Sequence, residues 1–137
     1  MPVVNVLNNV RFFVLKRYCV LRGKNSLEHI YNDRFFNITD TTYTLGTTPL
    51  VFADIIEQLY HPKSVVDVGC GCGFYLKELE KQGVDICGID GSPAASRNLV
   101  IHHDAFLLQD VTKMFSLPRR YDCALCFEVA EHIPTDT

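Results

Sequence analysis

The sequence contains no apolar run approaching the roughly 20 residues needed to cross a bilayer. Its most apolar stretch, near the N-terminus, is interrupted by Arg11, Lys16 and Arg17, and no small-residue cleavage site follows it, which argues against a secretory signal. Positive charge is scarce as well. Thirteen Lys and Arg stand against 16 Asp and Glu, so the basic stripe that a general nucleic-acid binder carries is missing. There is no internal repeat and no low-complexity tract. Six cysteines are present, but a second ligand pair near Cys123 and Cys126 is not. Three positions along a strand put those two on opposite faces, which argues against a zinc or redox site. Cys70 and Cys72 sit in a glycine-rich turn and Cys87, Cys123 and Cys126 in apolar runs, where cysteine acts as a small apolar residue. A reduced, cytoplasmic protein is expected.

What is present suffices for one domain: 137 residues, 47% of them hydrophobic, can bury a core. Charge is uneven, because Arg11, Lys16, Arg17, Arg22 and Lys24 have no acidic counterpart before residue 25. This basic, apolar segment, Val3 to Arg22, reads as a helix covering the domain, with contact to a membrane surface or RNA as the alternative. Residues 1–47 are taken as an N-terminal helical and loop segment and 48–137 as the main domain. A helix is expected from Thr48-Pro49 to His61-Pro62, burying Leu50, Ile55, Ile56 and Leu59. Strands and helices then alternate: SVVDV, FYLKELEKQ closed by Gly83, VDICGI, a helix opened by Ser92-Pro93, AFLLQ, and YDCALCFEV running into the start of a further helix. Apolar strands alternating with helices give an α/β fold, a Rossmann-like, doubly wound and mostly parallel sheet.

Ligands of such sheets lie beyond the C-terminal strand ends, and there the sequence reads VVDVGCGCG. Its alternate glycines let the backbone turn tightly and approach a ligand closely. The dinucleotide fingerprint GxGxxG fails, because Phe74 and Leu76 stand where its last glycine belongs. The phosphate loop GxxxxGK[ST] is absent too. The pattern Asp67-x-Gly69-x-Gly71-x-Gly73 resembles motif I of the class I S-adenosylmethionine-dependent methyltransferases. A carboxylate beside the turn suits a ligand carrying a sulfonium and an ammonium group, and would repel a diphosphate.

The resemblance covers roughly Thr48 to Ile133 and implies a cofactor site, with S-adenosylmethionine as donor and S-adenosylhomocysteine as product. Asp67, Gly69, Cys70, Gly71 and Gly73 form its turn. Asp90, with Gly91, matches the acid that accepts from both ribose hydroxyls, and Asp110 the acid that meets the adenine amino group, with Val111 packed on the ring. Phe127 and Glu128 would lie beside the methionine moiety. Tyr31, Phe35, Phe36 and Tyr43 are candidates to close over the cofactor, or else pack on the first helix. The implied reaction is in-line displacement at the sulfonium methyl by an O, N or C acceptor, expected to be a small molecule. Glu131 and His132 are the candidate bases. Glu128, Glu131 and His132 also form ExxEH, similar to ubiquinone-pathway O-methyltransferases and small-RNA 2′-O-methyltransferases, where these residues can hold a divalent cation. A metal role, an acid–base role and a structural role all stay open.

A full class I domain has seven strands, whereas four are read here, so a fragment with the cofactor half of the site and little catalysis of its own is expected. Its last strand would then be an exposed edge through which copies could self-associate. The rival readings are a non-catalytic nucleoside-binding or interaction module and an NAD-dependent oxidoreductase.

Overall fold

The computed structural model describes residues 11–13, 31–36 and 46–130. Strand β1 (Arg11–Phe13) comes first, and a helical turn over 33–36 precedes α1 (Thr48–Tyr60). Then follow β2 (Ser64–Val68), α2 (Phe74–Lys81), β3 (Asp85–Asp90), α3 (Pro93–Arg97), β4 (Phe106–Leu108) and β5 (Cys123–Leu125). The sheet order is β1-β5-β2-β3-β4 and every pairing is parallel.

β2 lies in the middle of the sheet, and its alternation feeds two cores. Val65 packs with Ala53, Ile56, Leu76 and Leu79 on one face, and Val66 with Cys87, Ile89, Tyr121 and Ala124 on the other. Both faces being covered explains the near-continuous apolar character of SVVDV. Asp122 fastens β2 to β5: its carboxylate accepts from Lys63 N (2.9 Å), Ser64 N (2.9 Å) and Ser64 Oγ (3.1 Å). α2 ends at Gly83, whose φ of +85° lets Gly83 N reach Glu80 O and Val84 N reach Leu79 O, with Val84 and Leu79 both buried. At Ser92 the side chain accepts from Ala95 N and Pro93 opens α3, so the expected helix start is observed.

Four expectations need correction. The buried stripe of α1 is Pro49, Ala53 and Ile56; of the four residues expected there only Ile56 is buried, while Leu50, Ile55 and Leu59 are 46%, 44% and 60% exposed. α1 packs on α2 through the small Ala53, which permits close approach and turns the bulkier side chains outward. Thr48, expected from its hydroxyl before Pro49 to be the helix cap, is itself helical, and no side chain caps this helix. Residues 11–13, read as helix, form a strand, because the backbone edge of β5 offers unpaired donors and acceptors to the β-prone Phe12-Phe13 pair. β5 is therefore no edge strand: β1 lies on one side and β2 on the other, which removes the basis for self-association through it. Among the described residues no helix is long and apolar enough to cross a membrane.

Candidate functional site

β2 leads directly into the glycine turn, and Gly69, Gly71 and Gly73 all adopt left-handed φ values of +81°, +55° and +89°. The alternate spacing is thus a run of conformations that side-chain-bearing residues seldom take. Gly69 N and Cys70 N both donate to Ile89 O at the end of β3, at 2.7 and 3.0 Å, and Gly73 N closes the turn on Cys70 O at 3.0 Å. At Gly69 a Cβ would fall inside Val129 Cγ2. The loop after β5 therefore presses directly on the turn. Cys70 turns its thiol inward, toward Gly88 of β3, where no Cβ obstructs it. Burial, followed by the charges of Asp67 and Asp90, pushes that thiol well above the ordinary range, so it is no nucleophile at neutral pH.

Above the turn lies a cavity of about 580 Å³, within the range of sites that take small molecules and cofactors. One wall is the aromatic cluster of Tyr31, Phe35 and Phe36, with successive ring centroids 4.9 and 5.2 Å apart and edge to face. This wall is fastened to α3 by Asp33, which accepts from Arg97 Nη2 (3.0 Å) and Asn98 Nδ2 (3.1 Å), and by Ser92 Oγ donating to Tyr31 O (2.9 Å). At another wall, Tyr75 and Phe127 meet with ring centroids 5.3 Å apart, and Phe52 packs on both.

The described lining carries four carboxylates, Asp67, Asp90, Asp110 and Glu128, and no Lys, Arg or His. Asp67 is 2% exposed, and no described residue donates a hydrogen bond to its carboxylate. Loss of water, reinforced by the negative charge of Asp90, raises its pKa to about 7. Asp90 is raised too by burial, against the pull of backbone N–H groups: Ser92 N donates to Oδ1 (2.8 Å) and Gly71 N to Oδ2 (2.9 Å). Asp110 is near the surface and held below the ordinary range, because Thr112 donates through Oγ1 (2.6 Å) and N (3.0 Å) and Lys113 Nζ lies at 3.1 Å. Glu128 has a φ of +56°, an uncommon conformation for a side-chain-bearing residue and one that gathers at functional sites.

A family model for a methyltransferase domain matches residues 46–136. The chain belongs to the methyltransferase-domain family. Its relatives include ubiquinone biosynthesis O-methyltransferases: that of Psychrobacter cryohalolentis is 30% identical over 81 residues, covering 53% of this chain and 32% of the relative. That of Nitrosomonas europaea is 34% identical over 83 residues, covering 53% and 34%. Among solved structures, the plantazolicin methyltransferase BpumL, in complex with a pentazolic desmethylPZN analog and SAH, superposes with a TM-score of 0.57 at 26% identity, over 73% of this chain and 44% of that one. The chain spans about a third of the length of the curated relatives it matches. The class I resemblance drawn from the order of the motifs is borne out.

In this methyltransferase domain, Asp67, Gly69, Cys70, Gly71, Asp90, Gly91, Asp110, Val111, Phe127 and Glu128 all line the one cavity, although they come from four separate strand ends. Gly73 does not line it. That residue caps α2 and packs against Ile101. Glu131, His132 and Tyr43 lie outside the described residues, as does the completed ExxEH triad. Among the described residues no group of three or more His, Cys, Asp or Glu could hold a metal ion, and no disulfide is formed among the five described cysteines. Cys72, Phe74, Tyr75, Ser92, Thr112 and Val129 join the lining without having been singled out. Each is within three residues of a motif residue, so adjacency to the motifs was the available signal.

Proposed function

We propose that this chain is the donor-binding part of an S-adenosylmethionine-dependent methyltransferase, with residues 48–137 as the binding domain and the N-terminal segment lending it a wall. The observation that carries this reading is the acidic cavity over the glycine turn, whose described lining holds no cation and includes the buried Asp67, a carboxylate with no partner among the described residues. A carboxylate in that position calls for a cationic ligand. When bound, the donor supplies a methyl group activated by its sulfonium charge.

In this reading Asp67 pairs with the donor's ammonium group, and Gly69 and Gly71 let the backbone come close to its amino-acid end. Asp90, its two oxygens already oriented by Ser92 N and Gly71 N, accepts from the ribose hydroxyls. A Cβ at Gly91 would come to 3.4 Å from Gln109 O and 3.5 Å from Asp110 Cα, so Gly91 lies directly against the Asp110 backbone. Asp110 accepts from the adenine amino group and Val111 packs on the ring. Phe127 and Glu128 stand beside the methyl-bearing end. The acceptor is a small molecule, and His132 or Glu131 takes its proton where it is a hydroxyl. Five described cysteines with no disulfide among them suit the reducing cytoplasm as the place of action.

The test is calorimetric titration of the chain with S-adenosylhomocysteine and, separately, NAD. Saturable binding of the first, lost in Asp90→Ala, supports the reading. NAD binding with no response to S-adenosylhomocysteine refutes it.

A further inference from the structure

Asp67 is fully enclosed, faces the cavity, and lacks any described hydrogen-bond donor or cation to offset a charge. An ionised carboxylate in such a place has lost its water without compensation, and the empty site relieves that cost by keeping the group neutral. The groups that face it deepen the cost: Asp90 from β3, Cys70 from the glycine turn and Cys123 from β5 are acids or thiols, and Glu128 and Asp110 line the same cavity.

We propose that the site exchanges a proton for its cationic ligand: the carboxylic acid of Asp67 gives up its proton to solvent as the ligand's ammonium group settles against it. The O–H bond of the acid breaks, its proton leaves as hydronium or on buffer, and the ammonium N–H donates to the carboxylate so formed. No electrons change hands. This inference rests on the donor reading above. The upward pKa shift of Asp67 agrees with it. Asp90 is a poorer source of the proton, because two backbone N–H groups already stabilise its charge. The thiols of Cys70 and Cys123 are pushed upward, away from release in this range. Asp110 is held ionised by Thr112 and Lys113.

The experiment is calorimetry of the full chain with S-adenosylhomocysteine in buffers of different ionisation enthalpy. At about pH 6 the wild type is expected to release close to one proton per ligand bound, falling toward none well above pH 7, and affinity is expected to rise by up to about tenfold per pH unit below pH 7. In Asp67→Asn the release vanishes and affinity is weaker and flat with pH. Infrared difference spectra of the wild type guard against a misfolded variant, since ligand addition must remove a protonated-carboxyl band. Binding without proton release or loss of that band, or release unchanged in Asp67→Asn, overturns the proposal and leaves the donor reading standing. Absence of binding at every pH overturns both.

Discussion

Gly69→Ala is the substitution whose cost the structure specifies most closely, because two separable penalties meet there. The first is conformational: φ is +81°, and an L side chain in the left-handed region costs about 1–2 kcal/mol. The second is packing, since the new methyl group would overlap Val129 Cγ2 and must displace it. Overpacking of that kind costs about 1–3 kcal/mol. Gly83 provides the control, with φ of +85° and nothing within 4 Å of its would-be Cβ. Urea unfolding should therefore show Gly83→Ala destabilised by about 1–2 kcal/mol and Gly69→Ala by about 2–5 kcal/mol. Adding Val129→Ala to Gly69→Ala removes the overlap, and the double variant, compared with Val129→Ala alone, should return to the Gly83→Ala value. If Gly69→Ala and Gly83→Ala cost the same, or Val129→Ala brings no relief, the contact between the β5 loop and the turn is not as described.

The empty protein should lose stability as pH rises. Asp67 has a raised folded-state pKa of about 7, so the native state holds more protons than the unfolded chain from about pH 4 to 7, and the loss is on the order of 4 kcal/mol across that window. Thermal melts across it check the slope, and Asp67→Asn should flatten most of it. Asp122→Ala removes the carboxylate that holds Lys63 N, Ser64 N and Ser64 Oγ, and should cost about 1.5–3 kcal/mol in urea unfolding, the range for hydrogen bonds to a charged group. Leu76→Ala empties a fully buried site in the α2 core and should cost about 2–5 kcal/mol by the same assay. Asp33→Ala frees the aromatic wall from Arg97 and Asn98; S-adenosylhomocysteine affinity should fall a few-fold while the melting temperature barely moves, as befits an exposed pair.

The alternation from Ser64 to Leu125 was readable because each strand is a short apolar run bounded by turn residues, and each strand end carries a distinctive residue. Asp67, Asp90 and Asp110 follow one another along the chain in the order of their strands in the sheet, and Glu128 joins the same cavity from β5 on the other side of β2. α1 shows where the pattern failed. Periodicity and bulk selected Leu50, Ile55 and Leu59, but the face that meets α2 is decided by the smallness of Ala53. β1 was hidden for another reason. Three residues acquire their strand state from a partner far along the chain, and no local pattern records that. The same applies to the fastening of Asp33 to Arg97 and Asn98, which joins two segments about 64 positions apart.

That distant pairing of β1 also has a consequence for the order of assembly. Arg11 is registered with Cys123, more than a hundred positions later. At the rate of synthesis in cells, roughly 5–20 residues per second, β1 waits on the order of 5–20 s before β5 exists to receive it. Helices α1 and α2 and the β2–β3 pair can form and pack in that interval, whereas β1, made before them, is joined only once β5 exists. An aromatic, β-prone segment left open for seconds is a target for chaperones and for mispairing, and its placement ties the joining of β1 to the arrival of β5.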